Sequence, residues 1–372
     1  MKDVIELAER GTQPAARQEP TMLSLNRFAK LVVAASFVLV VAGAVVSGTG
    51  SGLAVTTWPS LAGAADSGAP GAGVAYQRLH RLAGAAVGLM TIGLASWVFV
   101  ADGRRLVKAA AAAAAGAVIL QGVLGGVAVL YSLPPLVSTA HAALAHAFFA
   151  GVVAVAVVTS PGWLRRFSAG AGAATQSEQD EDRRRWNEVA SDTRLRSLAC
   201  WTVLFTYLQV LLGAAMRQTQ AGLAIPDYPL AFGSLLPSSG MLAVGGVALN
   251  LAHRASAPAT VLLTVLVVRR IFVRHPRNGE LTRPAAILAS VVLLQVALGG
   301  VVVLTGLGVV VSSAHVAGGA LALGAAAVVA LRAWRPLMSN DAARLAESDR
   351  LSRPARVPTP SSASALSTTR VT

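Results

Sequence analysis

The chain has 372 residues, of which 54% are hydrophobic and only 13% are charged, and its mean hydropathy is +0.61. A soluble protein carries roughly 25% charged residues, so this composition excludes an ordinary soluble domain. The net charge of +14 would suit nucleic-acid binding, but the Lys and Arg residues cluster in short segments between apolar runs. Such clusters are typical of the loops that orient membrane spans. The composition therefore predicts no nucleic-acid partner and a chain that crosses the lipid bilayer many times.

Eight apolar runs of about 20 residues, each long enough to cross a bilayer, follow one another along the chain. They must be helices, because the hydrocarbon core offers no water to satisfy an open strand. The predicted spans are Phe28–Val46, Arg81–Val100, Val107–Leu130, Leu136–Val158, Leu198–Met216, Met241–Val268, Pro284–Leu304 and Leu307–Leu331. The sequence thus predicts an all-α polytopic membrane protein with eight transmembrane helices.

Polar segments rich in Ser, Ala, Gln or Pro flank and divide these spans, and their composition predicts disorder in both tails and in the Ser168–Asp192 connector. The predicted domains are a tail (1–27), an N-terminal four-helix half (28–160), a linker (161–196), a C-terminal four-helix half (197–335) and a second tail (336–372).

Basic residues concentrate on one side of the predicted spans. That side holds Arg104 and Arg105, Arg183–Arg185, and Arg269 with Arg270, whereas the opposite loops hold little more than Arg78 and Arg217. Because basic loops stay on the cytoplasmic side of a membrane, both termini are predicted to be cytoplasmic.

The sequence also repeats itself. LQGVLGGVAVL (120–130) returns as LQVALGGVVVL (294–304), and GAVVSGTGSGLAVTTWP (43–59) aligns without a gap on GAAMRQTQAGLAIPDYP (213–229). Each half contains four spans in the same order, and because four is even, in the same orientation. This pattern predicts two tandem, pseudo-symmetric four-helix bundles.

Four of the six histidines fall at matching positions of the repeat: His80 with His253, and His141 with His315. The second and fourth helices of an up-down bundle are diagonal partners about 11–14 Å apart. That interval suits two imidazoles with a flat macrocycle between them, one axial ligand from each side. The spacing favours one bis-histidine haem site per half. Helix-packing hydrogen bonds or a proton relay are the alternatives, and zinc or copper is disfavoured because each half offers only two such ligands.

Two further features accompany these histidines. Arg81 and Arg254 follow theirs directly, and a guanidinium within a span needs a partner, which haem propionates or the outer headgroups would supply. The Gly125–Gly126 and Gly299–Gly300 pairs remove side chains, so that either a neighbouring helix or a macrocycle can approach the backbone.

The residues 217–237 (RQTQAGLAIPDYPLAFGSLLP), the two LQ-containing repeats, the two His-Arg pairs and STAH/SSAH together resemble the landmarks of the haem A synthase family, also called the cytochrome oxidase assembly factor family. The resemblance covers about residues 28–332. It implies two four-helix halves and oxidation of the C8 methyl group of haem O to a formyl group, which yields haem A for terminal oxidases. The reaction implied is a series of hydroxylations with electrons withdrawn from the substrate haem.

The resemblance also implies the roles of individual residues. His80 and His141 would take the substrate haem O, and His253 and His315 would hold a haem b cofactor. The other residues implied are Gln77 at a catalytic position and Arg81, Arg217 and Arg254 as cofactor-binding residues. The resemblance implies a location in a bacterial-type cytoplasmic membrane. The partners it implies are a haem O synthase and proteins that assemble a terminal oxidase. A homo-oligomer is also possible from the sequence.

One departure from the family pattern concerns the reaction itself. Gln77 stands three residues before His80, where the family typically has Glu. A glutamine can hydrogen-bond, but it cannot take a proton or offset a developing cation. The alternative function is therefore a haem-binding or electron-transfer membrane protein of the same fold. A two-repeat secondary transporter is a third hypothesis, and it predicts broken helices near mid-membrane.

Overall fold

The computed structural model describes residues 2–60, 71–164 and 176–352, with side chains described within 21–60, 71–164 and 177–338 except residue 179. The regular elements of these residues are helices: α1 (Lys2–Gly48), α2 (Gly71–Ala101), α3 (Arg105–Leu130), α4 (Pro135–Val158), α5 (Pro161–Leu164), α6 (Gln176–Ser191), α7 (Thr193–Gln218), α8 (Ser239–Leu242), α9 (Val247–Arg274), α10 (Gly279–Leu304) and α11 (Val309–Ser352). Two short 3₁₀ turns, Ser51–Leu53 and Ala221–Leu223, lie in the loops after α1 and α7.

Eight of these helices are long and apolar enough to cross a membrane. They are α2, α3, α4, α7, α9 and α10 together with Thr21–Gly48 of α1 and Val309–Met338 of α11. The prediction of eight spans is confirmed. Each span is one continuous helix, so the broken helices expected of a repeat transporter are not found among the described spans.

The helices contact one another as two sets of four. Helices α1 and α3 each pack against both α2 and α4, and helices α7 and α10 each pack against both α9 and α11. The two sets meet where α1 and α4 contact α11 and where α4 contacts α7. This is the neighbour pattern of two four-helix bundles that share one interface.

The two ends of the bundles differ in what fills them. We call the end with the loops 49–60 and 219–246 the loop end, and the end with α5 and α6 the connector end. One apolar core joins the connector-end halves of α1 to α4, and a second joins the corresponding parts of α7 and α9 to α11. Val32, Val98, Leu195 and Leu288, among the innermost of these residues, have no exposed surface. The apolar cores therefore fill the connector-end half of each bundle and leave the loop-end half to other residues.

Several element boundaries differ from those predicted. Helix α2 begins at Gly71, ten residues before the predicted start, so His80 lies inside the helix. Helix α9 begins at Val247 and not at Met241, because Gly246 adopts a φ of 84°, which interrupts the helix and is open to glycine.

The segments predicted to be disordered contain helix. Helix α1 starts at Lys2, α11 continues to Ser352, and α6 occupies Gln176–Ser191 of the connector. These parts are helical in the structure. In α6 the reason is visible, since Glu181 and Arg185 form an i,i+4 ion pair and the helix packs against α11. The remaining positions, 165–175 and 353–372, lie outside the described residues.

A buried ionic cluster closes the connector end. Asp192 caps α7 by accepting a hydrogen bond from the backbone N–H of Leu195 at 2.9 Å, and it pairs with Arg270 at 2.9 Å and His275 at 3.0 Å. Burial alone would raise the pKa of Asp192, but the hydrogen bonds from Arg270, Leu195 and His275 outweigh it and hold the pKa at about 2. The cluster ties the start of α7 to the end of α9.

We expect Asp192→Asn to weaken this cluster. A carboxyl pKa lowered to about 2 contributes about 2 kcal/mol of stability at neutral pH. Because the folded-state pKa is depressed, that contribution is present above about pH 4 and is lost as the pH falls toward 2. Thermal unfolding of the detergent-solubilised protein should therefore show a lower midpoint for the variant at pH 7 and a smaller difference at pH 3. Equal midpoints at pH 7 for wild type, Asp192→Asn and the control Glu188→Gln, an exposed position, would contradict this expectation.

Candidate functional site

The four repeated histidines lie in the loop-end half of the two bundles. His141, His253 and His315 are each the seventh residue of their helix, and His80 is the tenth residue of α2. Each is half-buried. The structure thus places all four at similar depth, in the part of each bundle that the apolar cores do not fill.

Each imidazole lies against a glycine of a neighbouring helix. A methyl group added at the glycine would come within 2.9–3.4 Å of the histidine Cε1, which is tighter than ordinary contact. The pairs and distances are Gly43 with His80 at 3.0 Å, Gly125 with His141 at 3.3 Å, Gly213 with His253 at 2.9 Å and Gly299 with His315 at 3.4 Å. Glycine at these positions makes the room in which the ring sits.

The Gly–Gly pairs therefore have two different tasks. The first glycine of each pair faces a histidine, and the second, Gly126 or Gly300, receives an aromatic ring from the loop end. A methyl group at Gly126 would lie 2.6 Å from Trp58 Cε2, and one at Gly300 would lie 2.9 Å from Tyr228 Cε1. A neighbouring helix or a macrocycle was predicted to approach these pairs, and in the structure the groups that approach them are side chains of His, Trp and Tyr.

The ring nitrogens of the four histidines share an unusual state. The Nδ1 atom of each is buried and has no hydrogen-bond partner. A buried polar atom without a partner costs about 1–3 kcal/mol, and such atoms in native proteins need a specific explanation. Each half therefore holds a pair of imidazoles whose hydrogen-bonding capacity the polypeptide does not satisfy.

This donor set can be tested against the groups that histidines commonly bind. Over the part of the chain that the structure describes, no three or more His, Cys, Asp or Glu side chains gather in a group that could hold a bare metal ion. A structural zinc site takes four protein ligands. Haem iron, by contrast, takes four of its six ligands from the porphyrin and needs only two axial ligands. Two imidazoles per half fit haem and do not fit a bare metal ion.

The loops at this end are held down by buried amides. Gln77 is only 3% exposed; its Nε2 donates to the Gly52 carbonyl at 2.6 Å, and its Oε1 accepts from the Val55 N–H. In the other half Asn250, 1% exposed, donates to the carbonyls of Ala221 at 2.8 Å and Gly222 at 3.0 Å. The two amides stand at matching repeat positions and fix the matching 3₁₀ turns.

The two arginines that follow histidines hold the same loops. Arg81 donates to the carbonyls of Val55 at 2.7 Å, Thr57 at 2.6 Å and Ser60 at 3.1 Å. Arg254 donates in the same way to Ile225 and Asp227, both at 2.7 Å, and to Leu230 at 3.0 Å. The partners suggested from the sequence were haem propionates or lipid headgroups, whereas the partners in the structure are loop carbonyls. Both guanidinium groups thus fix a loop next to the histidine that precedes them.

The tip of the second loop carries its own anchor. Asp227 accepts hydrogen bonds from the backbone N–H groups of Phe232 and Gly233, both at 2.8 Å. These bonds, that of Gly233 first, lower the pKa of Asp227. The Asp227 carboxylate therefore stabilises the conformation of its own loop.

Arg217 lies at the interface of the two halves. It ends α7, but its guanidinium donates across to the Ala44 carbonyl of α1 at 2.6 Å. Ala44 follows Gly43, the residue against which His80 packs. The structure therefore places Arg217 where α1 meets α7 and α11, next to Ala44 and close to Gly48.

His146 joins the halves at a deeper level. It is 5% exposed, its Nδ1 lies 2.8 Å from the Ala142 carbonyl, and its ring also lies close to the backbone of Val316. Ala142 and Val316 are the residues that follow His141 and His315. His146 is thus a structural contact between the two histidine pairs.

Sequence reasoning missed some residues of the site. Gln209 donates to the His253 carbonyl at 3.0 Å, and its Nε2 lies 3.3 Å from His253 Nε2. Its repeat counterpart is Leu39, so a search for matching polar residues passes over it. Asn250 could have been found, because an amide stands at both repeat positions.

Eight helices long and apolar enough to cross a membrane define the class of this protein: a multi-pass integral membrane protein, here with a repeated pair of histidines in each half. A family model described as "Cytochrome oxidase assembly protein" matches residues 76–327. The chain belongs to this family, which confirms the resemblance found in its motifs.

Relatives from several bacteria bear this out. The chain is 26% identical over 291 residues to a protein of Shouchella clausii named "Heme A synthase", with 76% of this chain and 87% of the relative covered. A protein of Geobacillus kaustophilus with the same name is 27% identical over 298 residues, covering 78% and 86%. A third protein of the same name, from Symbiobacterium thermophilum, is 31% identical over 223 residues, with 59% of this chain and 66% of the relative covered.

Proposed function

We propose that this protein is a haem A synthase, which oxidises the C8 methyl group of haem O to a formyl group. The proposal of this activity is supported by the family match and by the relatives named "Heme A synthase", and haem binding is supported by the four repeated histidines, each with a buried Nδ1 that lacks a partner and each accommodated by a glycine. In this proposal the two halves are pseudo-symmetric bundles with one haem site each. His80 and His141 hold the substrate haem O, and His253 and His315 hold haem b.

The remaining site residues position and enclose these groups. Haem b, when bound, supplies a one-electron carrier close to the substrate. Arg81 and Arg254 keep the loops in place beside the histidines, and Gln77 fixes the loop that would cover the substrate and exclude water. Arg217 brings a positive charge from α7 to the first half, where it would stabilise an anionic group of the substrate.

The proposal includes an orientation in the membrane. We place the connector end and both termini in the cytoplasm of a bacterial-type cell, because Arg104, Arg105, Arg274 and Arg277 lie at that end and basic residues stay inside. The histidines then lie toward the outer leaflet. A haem O synthase would supply the substrate, and terminal oxidase assembly would consume the product.

A second candidate function rests on Gln77. Both ends of its amide are engaged by loop backbone, so this position offers no group that can accept a proton from substrate. That observation favours a haem-binding or electron-transfer protein of the same fold, with the same histidine ligands.

Co-expression with a haem O synthase separates the two candidates. We expect haem A in the pigments extracted from cells that carry both proteins, and none in cells that carry the haem O synthase alone. If only haem O accumulates while the purified protein contains haem b, the second candidate is correct.

Replacing Gln77 by Glu tests the missing carboxylate directly. We expect Gln77→Glu to raise haem A output, because a carboxylate can take a proton and offset positive charge. The same change should lower thermal stability, because a carboxylate cannot donate to the Gly52 carbonyl and faces it instead, at a cost of about 1–3 kcal/mol. Pigment analysis and thermal unfolding measure the two effects.

The matched control is Asn250→Asp at the equivalent position of the other half. It removes the donor to Ala221 and Gly222 and should lower stability without raising haem A output. If Gln77→Glu is equally stable or produces no additional haem A, the role assigned to this position is wrong.

A further inference from the structure

A cavity at the connector end lies apart from the histidine pairs. It has a volume of about 400 Å³ and is bounded by α6, by the turn between α9 and α10, and by α10 and α11. Its charged lining consists of four arginines, Arg185, Arg277, Arg283 and Arg332, and two carboxylates, Asp182 and Glu280. Neither proposed function uses this cavity.

The carboxylates do not neutralise the lining. Glu280 forms ion pairs with Arg332 and with Arg335, the latter at 2.7 Å. Among the described residues, no carboxylate lies within ion-pair distance of Arg277 or Arg283, and both side chains are exposed. The cavity therefore presents an excess of positive charge.

A buried donor on the same wall also lacks a partner. Asn278 is 7% exposed; its Oδ1 caps α10 by accepting from the Glu280 N–H at 3.2 Å, but its Nδ2 has no hydrogen-bond partner. Arg185 pairs with Glu181 at 2.5 Å, yet its Nε is likewise buried and unpartnered. Such donors, together with the N-terminus of α10, which favours negative charge, match an anion with several acceptor oxygens.

The position of the cavity indicates where such an anion would come from. Helix α10, Gly279–Leu304, is long and apolar enough to cross a membrane, and the cavity reaches along its first turns to Pro284 and Ile287. Ile287 is 58% exposed, on a face that would meet lipid. The cavity thus joins a polar, basic part to an apolar surface, as expected for a ligand with an anionic head and an acyl tail. Basic pockets between membrane helices commonly bind such headgroups.

We propose that this cavity binds a phosphate-bearing anion, and that its source is the headgroup of an anionic phospholipid of the leaflet at the connector end. Arg277, Arg283 and Asn278 contact the phosphate, and the acyl chains lie along Ile287. The site is independent of the haem chemistry proposed above.

Two variants and one control test this site in the full-length protein. Arg277→Gln with Arg283→Gln removes the unpaired charges. Asn278→Asp keeps an oxygen to cap α10 but replaces the unpartnered donor by a second carboxylate oxygen. Arg269→Gln with Arg274→Gln is the control, because both positions are exposed on α9 and neither lines the cavity.

Each delipidated protein is titrated with phosphatidylglycerol, phosphatidylcholine or inorganic phosphate, and binding is followed by native mass spectrometry and thermal unfolding. Wild type and control should bind phosphatidylglycerol on the order of tenfold more tightly than phosphatidylcholine, and both site variants should lose the preference. Equal affinity of the wild type for the two lipids, or a preference kept in the site variants, overturns the site. A stabilisation by inorganic phosphate as large as that by phosphatidylglycerol overturns the lipid source.

Discussion

Replacing His253 or His315 should remove stably bound haem b. Each ring supplies one axial ligand in the proposed site, and each is already positioned by a glycine, Gly213 or Gly299. Loss of a supporting residue around a metal site weakens binding by about 10–100-fold, and loss of a direct ligand should weaken it at least as much. We therefore expect His253→Gln and His315→Gln to be purified with little of the Soret absorbance of the wild type.

The matched control for these variants is His146→Gln. It also changes a buried intramembrane histidine, but one whose Nδ1 lies 2.8 Å from a backbone carbonyl of its own helix, that of Ala142. Its haem b content should equal that of the wild type. Retention of haem b by both His253→Gln and His315→Gln in folded, monodisperse preparations would refute the ligand assignment.

Replacing His80 or His141 should abolish haem A formation and leave haem b in place. These rings belong to the other half, and misplacement of a substrate by even 1 Å can cost about 100-fold in rate. Losing an iron ligand should therefore reduce haem A output by at least about two orders of magnitude. Pigment extraction from cells that make haem O measures the product, and the spectrum of the purified variant measures haem b.

Because one half is proposed to bind haem O and the other haem b, the two sets of variants should lose different haems. If His80→Gln and His141→Gln lose haem b while His253→Gln and His315→Gln keep it, the assignment of the halves is reversed. If all four variants make haem A at the wild-type rate, the histidines do not hold the haems.

The membrane spans could be predicted from the sequence because the solvent dictates them. A run of about 20 apolar residues in lipid has no alternative to helix, and all eight are present. The boundaries were less predictable where polar residues sit inside a helix. Helix α2 begins at Gly71, although its first ten residues include Gln77, Arg78 and His80, and the backbone of Gly52 and Val55 satisfies the Gln77 amide.

The histidine pairs could be predicted because the repeat marks the same positions twice. Their surroundings could not, because they come from contacts between distant parts of the chain. That Gly125 faces His141 and Gly126 faces Trp58 depends on how α3 packs against α4 and on how the loop folds. The partners of Arg81 are loop carbonyls, and no pattern along the sequence places those carbonyls beside it.

The hydrogen bonds of Gln77 to its loop show a structural role that the sequence alone did not indicate. From the sequence it is a departure from the family, a carboxylate replaced by an amide. In the structure it is the counterpart of Asn250, and each amide fixes a 3₁₀ turn through backbone hydrogen bonds. An amide at this position holds the turn through both its donor and its acceptor, but it cannot take a proton.

Pyridine haemochrome analysis of the purified protein tests whether each histidine pair holds one haem. Protein from cells that make both haem b and haem O should contain about one haem b per chain together with haem O or haem A, and the haem O-derived fraction should disappear when haem O synthesis is absent. A folded, monodisperse and colourless protein from such cells would contradict the account.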